Sequence, residues 1–429
     1  MKRSYPTFAL ILTLPAFQAL AQGPLMPPGP PEPGMKTLDQ VEARIPIESL
    51  PFTIDQPGAY YLTGNLELAE GARGITISAD DVTLDLMGFT LSGGASQGIS
   101  LVPPGEDPLQ NTVVRNGTVD GFSTGLRILD GENGRYEDLQ IRNAGSSGGS
   151  GVILTGASRG NVIRRCLVTE SVSWGVNISA TVDDAILSGN LIADCIIIDN
   201  NSHGIRLRAA SGGQVIDNTI QNSAIIGNSG VTGASGLYFE ATSSTSAISG
   251  NRILDNTIVD NGSRGIYFRS SGSVMRNNEI RGNTISGQDN AGILGTSFGS
   301  ESGELTGTRI EENVISWNRF NGGIRFDDGD LEVNGMVIRG NVLADNGVGS
   351  SVAHLRVEHA QNNTIRENHI SGEQTSVSQG LRTGNSSGQL VIRNTVFGEP
   401  VTLSGNDRYG PVVETLPIPN NAWLNFRLD

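Results

Sequence analysis

GIYFRSSGSVMRNNEIRGNTISGQDNA, Gly265 to Ala291, decides how this chain folds. Apolar and polar residues alternate in three short segments, IYF, VMRNNEI and TIS, with Gly, Ser, Asn and Asp between them. Alternation of period two marks strands, whereas a helix needs apolar residues at i, i+3, i+4 and i+7, which the unit lacks. The same plan returns along the chain. A Gly, once a His, opens a strand at Gly74, Gly98, Gly125, Gly151, Gly175, Gly204, Gly236, Gly265, Gly292, Gly323, His354 and Gly380, at intervals of 24 to 32 residues. Repeats of that length describe a solenoid, in which each coil buries its apolar face only against its neighbours. The expectation is an all-β chain: a single right-handed parallel β-helix of about 12 coils with N- and C-terminal caps. Eleven rises of ~4.8 Å make it roughly 50 Å long.

Outward from the repeat, the chain divides by composition. Residues 1–21 have the form of a signal peptide: basic Lys2 and Arg3, an apolar stretch from Phe8 to Leu20 broken by Pro15, and the small-residue site Ala19-Leu20-Ala21. No Cys follows that site to take a lipid anchor, and no later stretch reaches the ~20 apolar residues of a membrane span. Export, to the periplasm or beyond, is expected. Residues 22–34 (QGPLMPPGPPEPG) form a Pro-rich linker and residues 35–73 an N-terminal cap over the first coil. The β-helix spans 74–405, and residues 406–429 drop the repeat as a C-terminal cap.

Several rows recur in register. Asn218, Asn256, Asn283, Asn313, Asn341, Asn368 and Asn394 each stand two residues before an inward Ile, Leu or Val. Asn tolerates left-handed turns, and stacked amides hydrogen-bond from coil to coil, so this row is structural. Cys166 and Cys195 fall in the same register on adjacent rungs, about one strand spacing of 4.8 Å apart. That spacing admits either a disulfide or two small buried side chains in one ladder.

VTLDLMGFTLSG (Val82 to Gly93), VRNGTVDGF (Val114 to Phe122) and TLDQVEARIPIESLPFTIDQPGAYYLTGNL resemble bacterial exported right-handed parallel β-helix repeat proteins, a resemblance that covers nearly the whole chain after the signal. The broader fold is similar to pectate lyases, polygalacturonases, alginate epimerases and phage tailspikes. The resemblance thus implies polysaccharide as the class of partner, by analogy of fold alone.

A net charge of -15 excludes nucleic acid and anionic membrane as bulk partners. Residues three and five of each opening strand face outward if two and four face inward. That rule selects Arg127, Arg206, Arg208, Tyr238, Glu240, Tyr267, Arg269, Arg325, Asp327 and Arg356 as candidate binding residues, with Asn177, Ser179, Glu358 and Arg382 on the same face. Tyr rings cover pyranose faces, and Arg forks hold uronate or sulfate oxygens. A lyase or epimerase on this face would use Arg206 or Arg269 to neutralise a carboxylate, and Tyr238, Tyr267 or His203 as base. Only Lys2 and Lys36 occur, so Lys chemistry on the helix is excluded. No cofactor is evident. Ca2+ would want the carboxylates of Asp327-Asp328-x-Asp330 or Asp80-Asp81, which serve as turns equally well. Asp183-Asp184 with His203-Gly204 suggests a polygalacturonase-like hydrolase, but the Asp pair lies eight residues past Gly175, in another turn, and that reading fails. His354, His359 and His369 stand at offsets unsuited to a shared metal. The sequence leaves catalytic residues unknown and two readings open: a polysaccharide-binding β-helix with a lyase-like or epimerase-like option, and a non-catalytic structural or adhesive rod.

Overall fold

Glycine opens the rungs because the next rung leaves no room for a side chain. A Cβ on Gly175 would lie 2.7 Å from the Gly204 carbonyl oxygen, 2.7 Å from Ile197 Cγ2 and 2.8 Å from Asn200 Nδ2. In the computed structural model all twelve openings head strands of one parallel ladder. This opening sheet has 14 strands, the twelve expected plus Phe52–Ile54 before them and Val401–Thr402 after. The structure describes residues 43–410, except 70–72, 95–96, 146–148, 300, 348–351, 373–378 and 398–399, together with the strands Val412–Val413 and Asn425–Leu428. The chain divides into Met1–Ala43 and Arg44–Asp429, and the second unit holds the β-helix. The signal peptide, the linker and much of the C-terminal cap lie outside the described residues.

Each central coil has four strands where the sequence suggests three. The coil of Gly265 runs Arg264–Ser270, Val274–Arg276, Glu279–Arg281 and Thr284–Ser286. The segment VMRNNEI is two strands because Asn277 takes φ 53°, which bends the chain. The four strands stack on their counterparts as the opening sheet, a flank sheet and two rear ladders, all pairings parallel and in register. Among the described residues there is no helix.

The side chains pointing into the coil are almost completely buried: Ile266, Phe268, Met275, Ile280 and Ile285 are at most 1% exposed. Burying an aliphatic side chain of this size stabilises by ~1.5–3 kcal/mol, repeated several times per coil. Phe239 and Phe268 stack in neighbouring coils with ring centroids 4.6 Å apart.

Amides close the corners. Three rows stack along the coils instead of one. Asn161, Asn190, Asn218, Asn251 and Asn278 precede the first rear ladder. Asn256, Asn283, Asn313, Asn341, Asn368 and Asn394 precede the second. Asn200, Asn228, Asn261, Gln288, Asn318 and Asn346 stand where the chain returns to the opening sheet. Asn218 therefore belongs to a different row from the other six of its sequence set. Cys166 and Cys195 head the second row, followed by Ser223, whose hydroxyl accepts the Cys195 amide hydrogen. Both cysteines are free thiols, 2% exposed. Contact between the thiols raises the pKa of Cys166 and lowers that of Cys195.

Candidate functional site

The opening sheet presents its third and fifth residues outward, and in the middle coils these converge on Glu240. Arg206 pairs with one carboxylate oxygen, and Arg208 Nε stands 3.5 Å from the same atom. On the other oxygen, the Tyr238 hydroxyl donates at 3.0 Å and Arg269 Nη1 lies 3.6 Å away. Arg269 also donates to the Tyr238 hydroxyl at 3.1 Å. Glu240 is only 8% exposed. Burial pushes its pKa up, but the charge and hydrogen bond of Arg206 prevail and hold it below the ordinary carboxylate value. Arg206 satisfies this carboxylate from beneath. Arg208 and Arg269, each with about a third of the side chain exposed, share the same carboxylate, so three guanidinium groups surround one negative charge.

Residues at the ends of the opening strands pack against this cluster. The Arg206 guanidinium lies 4.3 Å from the Trp174 ring centre, Arg264 sits 4.2 Å over Tyr267, and Arg269 sits 3.8 Å over Phe298. His203, Tyr238 and Tyr267 form a stacked column, with centroids 4.2 and 5.3 Å apart. His203 Nδ1 accepts the Ser235 amide hydrogen at 3.0 Å. Burial, then the charge of Arg206, lowers its pKa to about 3. Burial, then Glu240, raises that of Tyr238 to about 12. The sequence reading missed Trp174, Arg264 and Phe298. Trp174, His203 and Arg264 each directly precede an opening Gly, so position minus one was the available signal.

Further along, the face becomes a ribbon of paired charges. Arg325 Nε donates to Asp327 at 2.7 Å, and Arg356 reaches Asp327 at 2.9 Å and also pairs with Glu358. Arg382 closes the ribbon on the other Glu358 oxygen. At the opposite end, Arg127 stands between Ser100 and Ile153 in the ladder, and its pKa is lowered by burial and by Arg73. The sheet thus brings Arg206, Arg208, Tyr238, Glu240, Tyr267 and Arg269 into one cluster, places Arg325, Asp327 and Arg356 in a second, and leaves Arg127 apart. Across the outward positions seven Arg face three carboxylates, an excess of four positive charges on a chain of net charge -15.

The other expected groups occupy separate places. Asp183 and Asp184 follow the strand Val176–Ala180, and His203 precedes the next one, so they flank opposite ends of the sheet. His354 lies at the start of an opening strand, His359 beyond its end and His369 on the second rear ladder. Asp328 spends its oxygens on the amides of Ser297 and Asp330, at 2.9 and 3.1 Å. Asp80 accepts from the Gln110 amide at 2.7 Å, and Asp81 from the Asn111 side chain at 2.8 Å. A shallow groove of about 480 Å³ lies on the first rear ladder, by Arg135, Val162, Arg164 and Leu191. Its Arg164 is paired with Asp194 at 2.8 Å, and it faces away from the Arg and Tyr cluster.

These features define a right-handed parallel β-helix. A family described as "Right handed beta helix region" matches residues 73–242. A second, "Periplasmic copper-binding protein (NosD)", matches 188–327 and 221–407, together more than half of the chain. The chain belongs to this family of β-helix repeat proteins. No curated protein matches it. Among solved structures it is similar to the mannuronan C-5 epimerase AlgE4 A-module of Azotobacter vinelandii, with 15% identity over 83% of this chain and 91% of that one, TM-score 0.46. It is also similar to an exopolygalacturonase of Thermotoga maritima, with 12% identity over 81% and 85%, TM-score 0.47. At that distance the likeness concerns the fold.

Proposed function

We propose that this chain is an exported β-helix protein that binds an acidic polysaccharide along its opening sheet. The observation that carries the reading is the charge of this cluster: three guanidinium groups, Arg206, Arg208 and Arg269, share the single carboxylate of Glu240, and Arg208 and Arg269 are each about a third exposed. A carboxylate or sulfate on a polymer supplies the negative charge that one carboxylate among three guanidinium groups leaves unbalanced. Tyr267, stacked on Tyr238 and bonded to the Thr296 hydroxyl at 2.8 Å, is held fixed beside them. Export accords with the N-terminal sequence and with the family's description as periplasmic. No helix among the described residues is long and apolar enough to cross a membrane.

Binding fits this site better than lyase or epimerase chemistry. A base for neutral pH needs a pKa near 7. Tyr238 instead holds its proton up to about 12 and donates it to Glu240, and His203, at about 3, is a feeble base. The copper of the family description finds no donor set here. Among the described residues no three His, Cys, Asp or Glu groups converge, and the Nδ1 atoms of His203 and His354 both accept backbone amides. The reading needs no cofactor. The internally paired ribbon from Arg325 to Arg382 favours the second reading, a non-catalytic rod whose face is kept soluble by its own ion pairs.

Affinity electrophoresis in gels containing alginate or polygalacturonate separates the two readings. Wild type is expected to be retarded, less so as salt rises, and Arg208→Ala with Arg269→Ala to lose at least tenfold in affinity. Equal mobility of wild type and variant sinks the binding site. Absorbance of unsaturated uronates and reducing-end assays on the same polymers are expected to stay at background.

A further inference from the structure

At the corner after the second rear ladder every central coil turns through the left-handed region, at Glu170, Asp199, Gly227, Asp260, Gly287 and Asp345, with φ between 49° and 73°. Gly tolerates that conformation and short acidic side chains adopt it readily. The exception is Trp317, at φ 56° in the same register. A bulky side chain is a poor fit for such a backbone and gains when burial compensates, yet Trp317 is 57% exposed. Phe320, in the same turn, is 58% exposed. With Val314 and Val342 they make four of the eleven large hydrophobic residues exposed among the described residues, gathered on two adjacent coils.

The surroundings of these rings are polar and ordered. Arg319 donates to Asp289 at 2.9 Å, and the Asn321 side chain binds that of Asn290. Arg325 of the opening sheet donates to Asn321, which ties the turn to the charged ribbon. Flat apolar rings edged by amide and guanidinium donors match a sugar ring, which offers a C–H face and a rim of hydroxyls. Area argues against a protein partner. Two aromatic side chains of about 150–250 Å² each, half covered already, fall far short of the about 800 Å² per side of a stable interface.

We propose that the turn from Trp317 to Gly322 is an aromatic subsite for the same polysaccharide, stacking pyranose rings on Trp317 and Phe320 where the polymer leaves the opening sheet beside Arg325. The proposal rests on the reading of that sheet as the binding face.

The test compares three proteins in alginate, polygalacturonate and dextran gels: wild type, Trp317→Gly with Phe320→Ala, and Arg208→Ala with Arg269→Ala. Glycine is at home at this corner, so the aromatic variant is expected to melt no lower than wild type. Its affinity for the acidic polymers is expected to fall about tenfold. If it is retarded like wild type while the arginine variant is not, the subsite is overturned and the sheet reading stands. If it loses affinity while the arginine variant keeps it, the subsite stands and the sheet reading falls. Wild type unretarded by either acidic polymer overturns both.

Discussion

His354 shows how one buried side chain sets a pH limit. It is fully buried, and its Nδ1 accepts the Asn346 amide hydrogen at 3.3 Å, ending the third amide row with a ring. Burial lowers its pKa to about 4, while Asp345 pulls weakly the other way. An unfolded histidine titrates near 6.5, so between about 6.5 and 4 the unfolded chain takes up a proton that the folded chain refuses. Stability contributed by the neutral ring is complete above pH 6.5 and is lost as pH falls through that window, on the order of 3 kcal/mol in all. His203 acts in the same direction. Denaturant midpoints at pH 7.5 and 4.5 are expected to diverge in wild type and to diverge by about half as much in His354→Asn, which keeps an acceptor for Asn346 and does not titrate, the remainder belonging to His203. Parallel curves for the two proteins would show that His354 does not set the limit.

At the scale of the strand and its corner, amides and glycines do different jobs. Asn313 is fully buried: its side chain donates to the Ile280 carbonyl and to Asn341 Oδ1, both at 2.9 Å, and its own Oδ1 accepts from Asn283. Asn313→Ala leaves the Asn283 amide hydrogen and the Ile280 carbonyl unpaired in the interior, a loss of about 2–3 kcal/mol in urea unfolding. A change under about 0.5 kcal/mol would show that the rows are ornament. Gly204→Ala errs in the opposite sense. Its Cβ would come 2.6 Å from Ile225 Cγ2 and 2.8 Å from the Gly236 oxygen, an overpacking worth about 1–3 kcal/mol by the same measurement. The opening glycines were legible because they recur at the head of every apolar alternation. The fourth strand was not. Asn277 and Asn278 lie inside what reads as one alternating segment, and only the left-handed φ of Asn277 cuts it in two. The split also hid the first amide row and made Asn218 look like a member of the second.

For the whole molecule, the stack makes Cys166 and Cys195 reporters of global opening. Both lie inside the solenoid under neighbouring coils. In native buffer they are expected to resist a thiol reagent for hours and to react together once denaturant opens the stack. Labelling within minutes in native buffer would contradict their placement. The candidate face was partly legible at this scale, because alternation fixes which residues of a rung face outward and so named the arginines and tyrosines. Trp174 and Phe298 escaped because they lie outside the strands, where no period constrains direction, and Arg264 because it begins its strand one residue before the opening Gly. Pairing escaped as well: nothing in the spacing of Arg206 and Glu240, one coil apart, told that one would be buried against the other.

The amide rows also have a polarity. From Asn161 to Asn278, and from Asn256 to Asn394, each amide but the last gives one side-chain N–H to the Oδ1 of the following coil, so every linking carbonyl oxygen points to the preceding coil. Aligned dipoles add and polarise one another along a chain of hydrogen bonds. The rows therefore behave as unidirectional wires, positive toward the C-terminal coils and negative toward the N-terminal ones. Direction along the axis is thus a built-in property of this protein, and a charged polymer lying along the stack would meet two electrostatically different ends.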